Sequence, residues 1–236
     1  MPFRHSSRKD YDRLGRNIHN SLKMKNIYII GSLDIDRGQL VTTVSKNFDP
    51  IFLKQGSIDG ACGPYCVMMA LLITGSVTLD EVSELWNIKL STRLGKLVKG
   101  MREHDTLFSD GTTINELATL MDNSFGKILK TSSSEESGKK LIPFIISQLK
   151  NDHPVIVGVK NGNFAHWLLA VGYEKEEDVN KLFFLDPSGV NTSNYWNAAI
   201  DIVNKQGGRY PYPWIDHNDS DNEYVQLEEA IAIINK

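Results

Sequence analysis

The sequence predicts an α+β fold in which a helical first half precedes an antiparallel sheet. Segments with helical periodicity, such as VTLDEVSELWNI and TTINELATLMD, lie before about residue 150. After that point, apolar and β-branched runs such as HPVIVGVK and KLFFLDPSG are punctuated by Gly, Asn and Pro, which is typical of strands. Helices followed by strands within one chain is the layout of α+β proteins.

The composition is that of an ordinary globular protein. The 236 residues suffice for a substantial core, and 41% hydrophobic and 23% charged residues are unremarkable values. A net charge of −3 provides no general attraction for nucleic acid, so no nucleic-acid partner is predicted. No stretch approaches the roughly 20 apolar residues that cross a bilayer, so no membrane span is predicted.

Two regions are predicted along the chain. Residues 1–24 are basic and polar, and we interpret them as a flexible arm that is a propeptide, a linker or a docking segment. Residues 25–236 are predicted to form a single domain. Because no apolar segment follows the basic N-terminus, no classical signal peptide is predicted, and we expect a cytoplasmic protein or one delivered by a non-classical secretion route.

The domain is predicted to begin with two strands and an apolar helix. The strands NIYIIGS and QLVTTVS are separated by the turn signal Asp-Ile-Asp-Arg-Gly. The small-residue loop KQGSIDGACGP then leads into the helix CVMMALLITG, for which Gly75 is the expected end.

The middle of the chain is predicted to be mostly helical. Residues 78–121 have Thr78 as the first helix cap and Thr112 or Thr113 as a later one. A short strand, GKILKT, precedes an amphipathic helix in SEESGKKLIPFIISQLKND, where Pro143 marks a kink or a late start. The C-terminal segment EYVQLEEAIAIINK is expected to be regular structure, either strand or helix.

Cys62 is the candidate nucleophile. A cysteine attacks a carbonyl as its thiolate, so its pKa must be lowered. Cys62 is followed by Gly63-Pro64 and a strong helix, which places it at the helix N-terminus, where the helix dipole favours a thiolate. Cys66 lies one turn further on among apolar residues and is predicted to be a buried structural cysteine. Cys62 alone would also suit a structural role, so its assignment depends on its partners.

His166 is the candidate general base and Asp186 the group that orients it. His166 opens a buried-looking strand directly after the turn NGNF, so it can project from a rigid edge. Asp186 ends the strand LFFLD before a proline, where its carboxylate is expected to accept a hydrogen bond from the imidazole Nδ1–H. A strand-edge histidine and a turn aspartate without chemistry remain the alternatives. The other histidines are predicted to be surface residues: His5, His19, His104, His153 and His217.

Gln55, seven residues before Cys62, is the candidate oxyanion-hole residue. Its side-chain N–H and the backbone N–H of Cys62 could together hold an oxyanion, although an ordinary loop amide fits equally well. No metal site is predicted, because Cys62 and Cys66 lack a second close pair of Cys or His. No disulfide between them is expected, since it would close almost no loop. The chemistry calls for no cofactor, and none is predicted.

In this order the motifs resemble the papain-like cysteine peptidase clan, and within it the C39-like peptidases. The resemblance covers roughly residues 50–190 and is carried by Gln55 followed by DGACGPYCVMMAL, AHWLLAVGYE and LFFLDPSG. It implies a papain-like fold, with an N-terminal helical lobe packed on a C-terminal antiparallel β-sheet. It maps the nucleophile to Cys62, the base to His166 and the orienter to Asp186. The oxyanion glutamine maps to Gln55, although papain-like enzymes often have a spacing one residue shorter.

The resemblance implies a cysteine hydrolase that cleaves an amide bond, by default a peptide bond, in a protein or peptide substrate. A glutamine deamidase or transglutaminase, as in bacterial effector toxins, would use the same triad, and a non-catalytic papain-like binding module is a third alternative. An inhibitor, immunity or activator protein is left open as a further partner. The aromatic segment RYPYPW either lines the cleft through Tyr210, Tyr212 or Trp214 or packs on the core as a surface loop.

Overall fold

The computed structural model describes residues 26–56, 60–103, 111–191, 194–216 and 223–236. The predicted arm at residues 1–24, together with His5, His19, His104 and His217, lies outside the described residues. Within the described ranges, no helix is both long enough and apolar enough to cross a membrane.

The α-helices of the described residues lie between two strand-rich parts of the chain. They are α1 (Cys62–Ile73), α2 (Leu79–Ser83), α3 (Arg93–Glu103), α4 (Ile114–Phe125) and α5 (Ile142–Leu149). Short 3₁₀ turns occupy Leu85–Asn87 and Gly138–Lys140. Every residue of α1 except Tyr65 is buried, which is expected of a helix that is apolar on all sides and runs through the core.

Threonine caps fix the starts of two helices. Thr78 caps α2 and Thr113 caps α4, and each side chain accepts a hydrogen bond from a backbone N–H in the first turn. The side chains of Glu81 and Glu116 in turn accept a hydrogen bond from the backbone N–H of the cap residue, which completes a capping box in both helices. The predicted cap at Thr78 is therefore confirmed, and Thr113 rather than Thr112 is the cap of α4.

The ends of α1 and α5 agree with the sequence signals. Helix α1 begins at Cys62, and Gly75 follows its end with a φ of 67°, the left-handed conformation that glycine adopts freely. Pro143 lies in the first turn of α5, so the helix starts late and is not kinked there.

The strands of the described residues pair antiparallel throughout. They are β1 (Asn26–Ile29), β2 (Leu33–Asp36), β3 (Gln39–Thr42), β4 (Leu129–Ser134), β5 (Val155–Lys160), β6 (Ala165–Lys175), β7 (Val179–Leu185), β8 (Ala198–Asp201), β9 (Tyr212–Asp216) and β10 (Glu223–Asn235). Strands β5 to β10 form a closed ring in chain order, because β10 pairs with β5 and β6 pairs with β7. β1 extends the ring alongside β6, β4 extends it alongside β10, and β2 and β3 form a separate hairpin.

Three sequence-based expectations about the strands need correction. The segment read as a turn between the first two strands contributes Asp34, Ile35 and Asp36 to β2, and only Arg37 and Gly38 form the turn. Both turn residues have a positive φ, so the two-residue hairpin leaves the preceding residues free to pair. The strand predicted at GKILKT starts three residues later, at Leu129, and runs to Ser134. The aromatic segment expected to be a loop contributes Tyr212–Asp216 to the ring as β9.

The core lies between α1 and the ring of strands. Helix α1 packs against β5 and β6, with residues such as Met69 and Leu72 fully buried. Truncating one such side chain to alanine costs about 2–5 kcal/mol in proteins of this size. This packing fixes the N-terminus of α1 against the start of β6, which is where the candidate site lies.

Candidate active site

Cys62 is the first residue of α1 and is only 7% exposed. Its neighbour Gly63 is tightly enclosed, since a Cβ there would lie 3.2 Å from both Thr112 Oγ1 and Trp167 Cδ1. A side chain at position 63 would therefore push the helix away from β6. The glycine after Cys62 thus allows the close approach of α1 and β6.

His166 projects from the second position of β6 beside Cys62. Its side chain is 11% exposed and stacks on the ring of Trp214, with centroids 5.8 Å apart and planes 22° from parallel. Phe164 meets the same indole edge-on at 5.7 Å. Of the aromatic segment that sequence reasoning singled out, Trp214 therefore contacts the candidate base, while Tyr212 is buried in the core.

His166 and Asp186 are joined by a hydrogen bond of 2.7 Å between Nε2 and Oδ1. Sequence reasoning expected the Asp186 contact at Nδ1, and the structure corrects this to Nε2. The ring leaves β6 in an orientation that points Nε2 toward the end of β7, where Asp186 lies. Nδ1 is therefore the nitrogen left for the sulfur of Cys62, which lies close enough for His166 and Cys62 to shift the pKa of each other.

The charges of these residues stabilise one another. Burial alone would raise the pKa of Cys62, but the hydrogen bond and charge of His166, helped by backbone contacts of Trp167 and Gly63, lower it below its ordinary value. Burial would likewise lower the pKa of His166, yet the hydrogen bonds and charges of Asp186 and Cys62 raise it to about 9. The two shifts together favour a thiolate–imidazolium pair at neutral pH.

Asp186 is held in place by Asn197, a residue that sequence reasoning missed. The Asn197 Oδ1 accepts from the backbone N–H of Asp186 at 2.6 Å, and Nδ2 donates to the backbone oxygen of Asp186 at 2.9 Å. Asn197 is fully buried. Its only sequence signal is a polar amide immediately before the apolar strand β8, which no motif marks as functional.

Cys66 occupies a different environment from Cys62. It is fully buried, and its thiol donates to the backbone oxygen of Trp167 at 3.4 Å. Burial, reinforced by the nearby charges of Cys62 and Asp186, raises the pKa of Cys66 well above its ordinary value. A buried neutral thiol is what the sequence predicted at this position.

Two further residues singled out from the sequence are Gln55 and His153. Gln55 is half-buried, and its backbone N–H donates to the oxygen of Pro187 at 2.9 Å, which ties the loop before α1 to the turn after Asp186. Its side-chain role in an oxyanion hole stays a prediction. His153, expected at the surface, is half-buried and bonds Gln148 at 3.0 Å, because it packs in the turn between α5 and β5.

A cleft of about 510 Å³ opens beside Cys62. Its lining comprises Cys62, the loop at residues 111–113, Glu135 and Ser137 after β4, and parts of β5, β6 and β10 that include His166 and Trp167. The Trp167 Nε1 donates to the backbone oxygen of Thr112 at 2.7 Å, which fixes the loop at the rim. Among the described residues, no group of three or more His, Cys, Asp or Glu could hold a metal ion.

Comparisons with known proteins do not assign a family to this chain. No protein-family model and no curated protein sequence matches the chain. Among solved structures, UfSP from C. elegans is similar with a TM-score of 0.43 and 9% sequence identity, over 94% of this chain. This chain spans 37% of the length of that structure. A likeness at this level does not establish a common fold or activity.

The arrangement is chemically suited to thiol-dependent acyl transfer. It offers a sulfur at a helix N-terminus, an imidazole that lowers the pKa of that thiol, and a carboxylate that is hydrogen-bonded to the imidazole. A thiolate beside an imidazolium is both a nucleophile and a proton donor for a leaving group. All three side chains are largely buried, and Cys62 and His166 line the cleft.

Proposed function

We propose that this chain is a papain-like cysteine hydrolase that cleaves an amide bond, most simply a peptide bond. One observation carries the proposal: His166 is hydrogen-bonded to Asp186 and lies close enough to Cys62 to lower the pKa of its thiol, and Cys62 and His166 both line a cleft. The helix that starts at the nucleophile and the antiparallel strands that supply the other two residues support the papain-like assignment. The narrower likeness to C39-like peptidases rests on sequence motifs alone and stays part of the proposal.

In the proposed first step, the thiolate of Cys62 attacks the carbonyl carbon of the substrate amide. The C–N bond then breaks, and the imidazolium of His166 gives its proton to the leaving amine. A thioester of Cys62 remains. His166, now neutral, takes a proton from a water molecule whose oxygen attacks the thioester, and the acid product leaves as the thiolate–imidazolium pair is restored. Asp186 holds the imidazole in place and stabilises its positive charge in both steps.

The oxyanion formed in each step needs hydrogen-bond donors. The backbone N–H of Cys62 lies in the first turn of α1, where N–H groups have no acceptor within the helix. We assign the second donor to the side-chain amide of Gln55. The tie between Gln55 and Pro187 supports this assignment, because it holds the loop of Gln55 near the carboxylate that orients His166.

The test is mapped alkylation with iodoacetamide, followed by digestion of a peptide library. In wild type, Cys62 should react rapidly well below pH 8, and His166→Ala should slow this reaction at least about tenfold by removing the imidazolium. Cys66→Ala is the control, since it removes the other thiol but leaves the pair intact. Cys62→Ala should abolish hydrolysis in the library assay.

Two results would separate the alternatives. Slow labelling of Cys62 that is indifferent to His166 contradicts the enzyme proposal and favours a non-catalytic binding module. Fast labelling combined with release of ammonia from glutamine-containing peptides, without backbone cleavage, identifies the same chemistry acting on a side-chain amide.

A further inference from the structure

The cleft beside Cys62 carries more negative than positive charge. Three glutamates, Glu135, Glu228 and Glu229, line it together with one cation, Lys160. Lys160 forms an ion pair with Glu228, and both side chains are about one-third exposed. Within the described ranges, neither Glu135 nor Glu229 forms an ion pair. Two carboxylates therefore face the cleft without a cationic partner from the described part of the chain.

Glu229 is held near the nucleophile by the register of three strands. It lies opposite Gly158 of β5, which in turn lies opposite Trp167 of β6. Two strand spacings place the Cα atoms of Glu229 and Trp167 about 10 Å apart. The absence of a side chain at Gly158 lets Glu229 and Trp167 approach each other over it, since a Cβ there would lie 3.3 Å from Glu229 Cγ and 3.2 Å from Trp167 Cζ3.

The indole of Trp167 spans the floor of the cleft from the nucleophile to Glu229. Its Cδ1 lies 3.2 Å from the position of a Cβ on Gly63, directly after Cys62. Its opposite edge lies against Gly158 and Glu229. A long side chain of a substrate that starts at the scissile bond can therefore follow this ring and end at the Glu229 carboxylate.

A second observation points to a polar ligand in the same cleft. Thr112 lines it and is 8% exposed, and its Oγ1 has no hydrogen-bond partner among the described residues. A buried hydroxyl without a partner is uncommon and costs free energy unless a ligand satisfies it. Glu229 also lies near the start of α4, where the backbone N–H of Ile114 favours its charged form and so acts to lower its pKa. Burial and then the charge of Glu135 raise the pKa of Glu229.

We propose that this cleft binds a lysine or arginine side chain of the substrate next to the scissile bond. Glu229 and Glu135 hold the ammonium or guanidinium group, and the ring of Trp167 supports its aliphatic stem. Thr112 Oγ1 accepts a hydrogen bond from a substrate N–H. This inference rests on the proposed function and specifies the substrate class of the same site.

The test measures charge preference at Cys62 without needing a known substrate. Two methanethiosulfonate reagents, one with a trimethylammonium group and one with a sulfonate group, form a disulfide with the thiolate and release methanesulfinate. Rates at Cys62, mapped by mass spectrometry, are divided by the rates of a small model thiol. We expect the normalised cation-to-anion ratio to be about tenfold or more in wild type.

Matched variants assign the preference to the two glutamates. Glu229→Gln and Glu135→Gln should each lower the ratio severalfold, and the double variant should bring it close to one. Glu136→Gln is the control, since this exposed neighbour of Glu135 pairs with Lys140 and does not line the cleft. Glu135 is exposed, so its variant tests the inference even if Glu229→Gln folds poorly.

The outcomes separate this inference from the proposed function. A wild-type ratio near one, or a ratio that both glutamine variants leave unchanged, overturns the inference even where Cys62 reacts rapidly with neutral iodoacetamide. Slow reaction of wild-type Cys62 with iodoacetamide overturns the proposed function and this inference together. If the inference holds, digestion of a peptide library should agree with the reagent rates and give cleavage concentrated beside lysine or arginine.

Discussion

Asn197 brackets the backbone of Asp186, accepting from its N–H at 2.6 Å and donating to its carbonyl oxygen at 2.9 Å. The same Nδ2 donates to the oxygen of Val190 at 3.1 Å, so one buried amide closes the whole turn after β7. Asp186 in turn bonds His166. Asn197 therefore acts on the orientation of the imidazole indirectly, because these hydrogen bonds are to the backbone of Asp186 and Val190.

We expect Asn197→Ala to destabilise the fold and to weaken the pair at the site. Leaving the buried backbone groups of Asp186 without the amide should lower the free energy of unfolding by about 1–3 kcal/mol. A looser carboxylate supports the imidazolium less, so the pKa of Cys62 should rise. Chemical denaturation and the pH profile of iodoacetamide labelling measure the two effects.

Asn204→Ala is the matched control for that change. Asn204 is exposed and donates its side-chain amide to Asp201 at 2.8 Å, away from the site. It should change stability slightly and leave the pH profile of labelling where it is. A positioning role for Asn197 is ruled out if Asn197→Ala unfolds more easily but labels with the wild-type pH profile.

Gly189→Ala should disturb the hydrogen bonds between Asn197 and the backbone of Asp186. A Cβ at Gly189 would lie 2.6 Å from Asn197 Nδ2, and that amide is fully buried and cannot move aside freely. We expect a loss of about 1–3 kcal/mol in unfolding free energy and slower labelling of Cys62. Gly207→Ala is the control, because a Cβ there meets nothing within 4 Å. Equal stability and equal labelling rates in the two variants would contradict the role of Asn197 in positioning Asp186.

Hydrolysis should follow a bell-shaped pH profile. Activity needs the thiolate of Cys62 and the protonated form of His166, so it should rise through the lowered pKa of Cys62 and fall above about 9, where His166 loses its proton. The measurement is kcat/KM against pH with a peptide found in the library assay. An alkaline limb near the ordinary histidine pKa of 6.5 would show that the thiolate–imidazolium pair does not form.

Asp186→Asn should bring the acid and alkaline limbs of the pH profile closer together. The carboxylate raises the pKa of His166, so its removal lowers that pKa by about one to three units. With less imidazolium present, the pKa of Cys62 should rise. Asp201→Asn, a change at a similarly buried carboxylate in β8, serves as the control. The position of the acid limb in iodoacetamide labelling reports the effect directly.

Trp214→Ala should weaken the pair by admitting water to His166. Water screens the interactions of the imidazole with Asp186 and Cys62, so labelling of Cys62 near pH 6.5 should slow severalfold. Trp214→Phe should slow it less, since it keeps an aromatic face and removes a buried N–H that lacks a partner among the described residues. Trp196→Ala is the control, because Trp196 stacks on Phe183 rather than on the base. Identical loss in both alanine variants would indicate a general packing effect.

Features that depend on neighbouring residues were predictable from the sequence. The capping box at Thr78, the end of α1 before Gly75 and the late start of α5 at Pro143 all follow from local hydrogen bonding and fixed backbone angles. The placement of Cys62 at a helix N-terminus follows in the same way. The apolar and β-branched runs punctuated by Gly, Asn and Pro predicted the strands of the second half, and β5 and β6 are buried along most of their length.

Only the tertiary structure decided which groups meet. The sequence placed His166 and Asp186 at the ends of two strands, but the side-by-side pairing of β6 and β7 and the orientation of the ring selected Nε2 as the atom that bonds Asp186. Asn197, Trp214 and Glu229 join the site through contacts between residues far apart in the chain. Such contacts depend on strand register and packing, which no local pattern encodes, whereas the types of residue that perform the proposed chemistry could be read directly from the sequence.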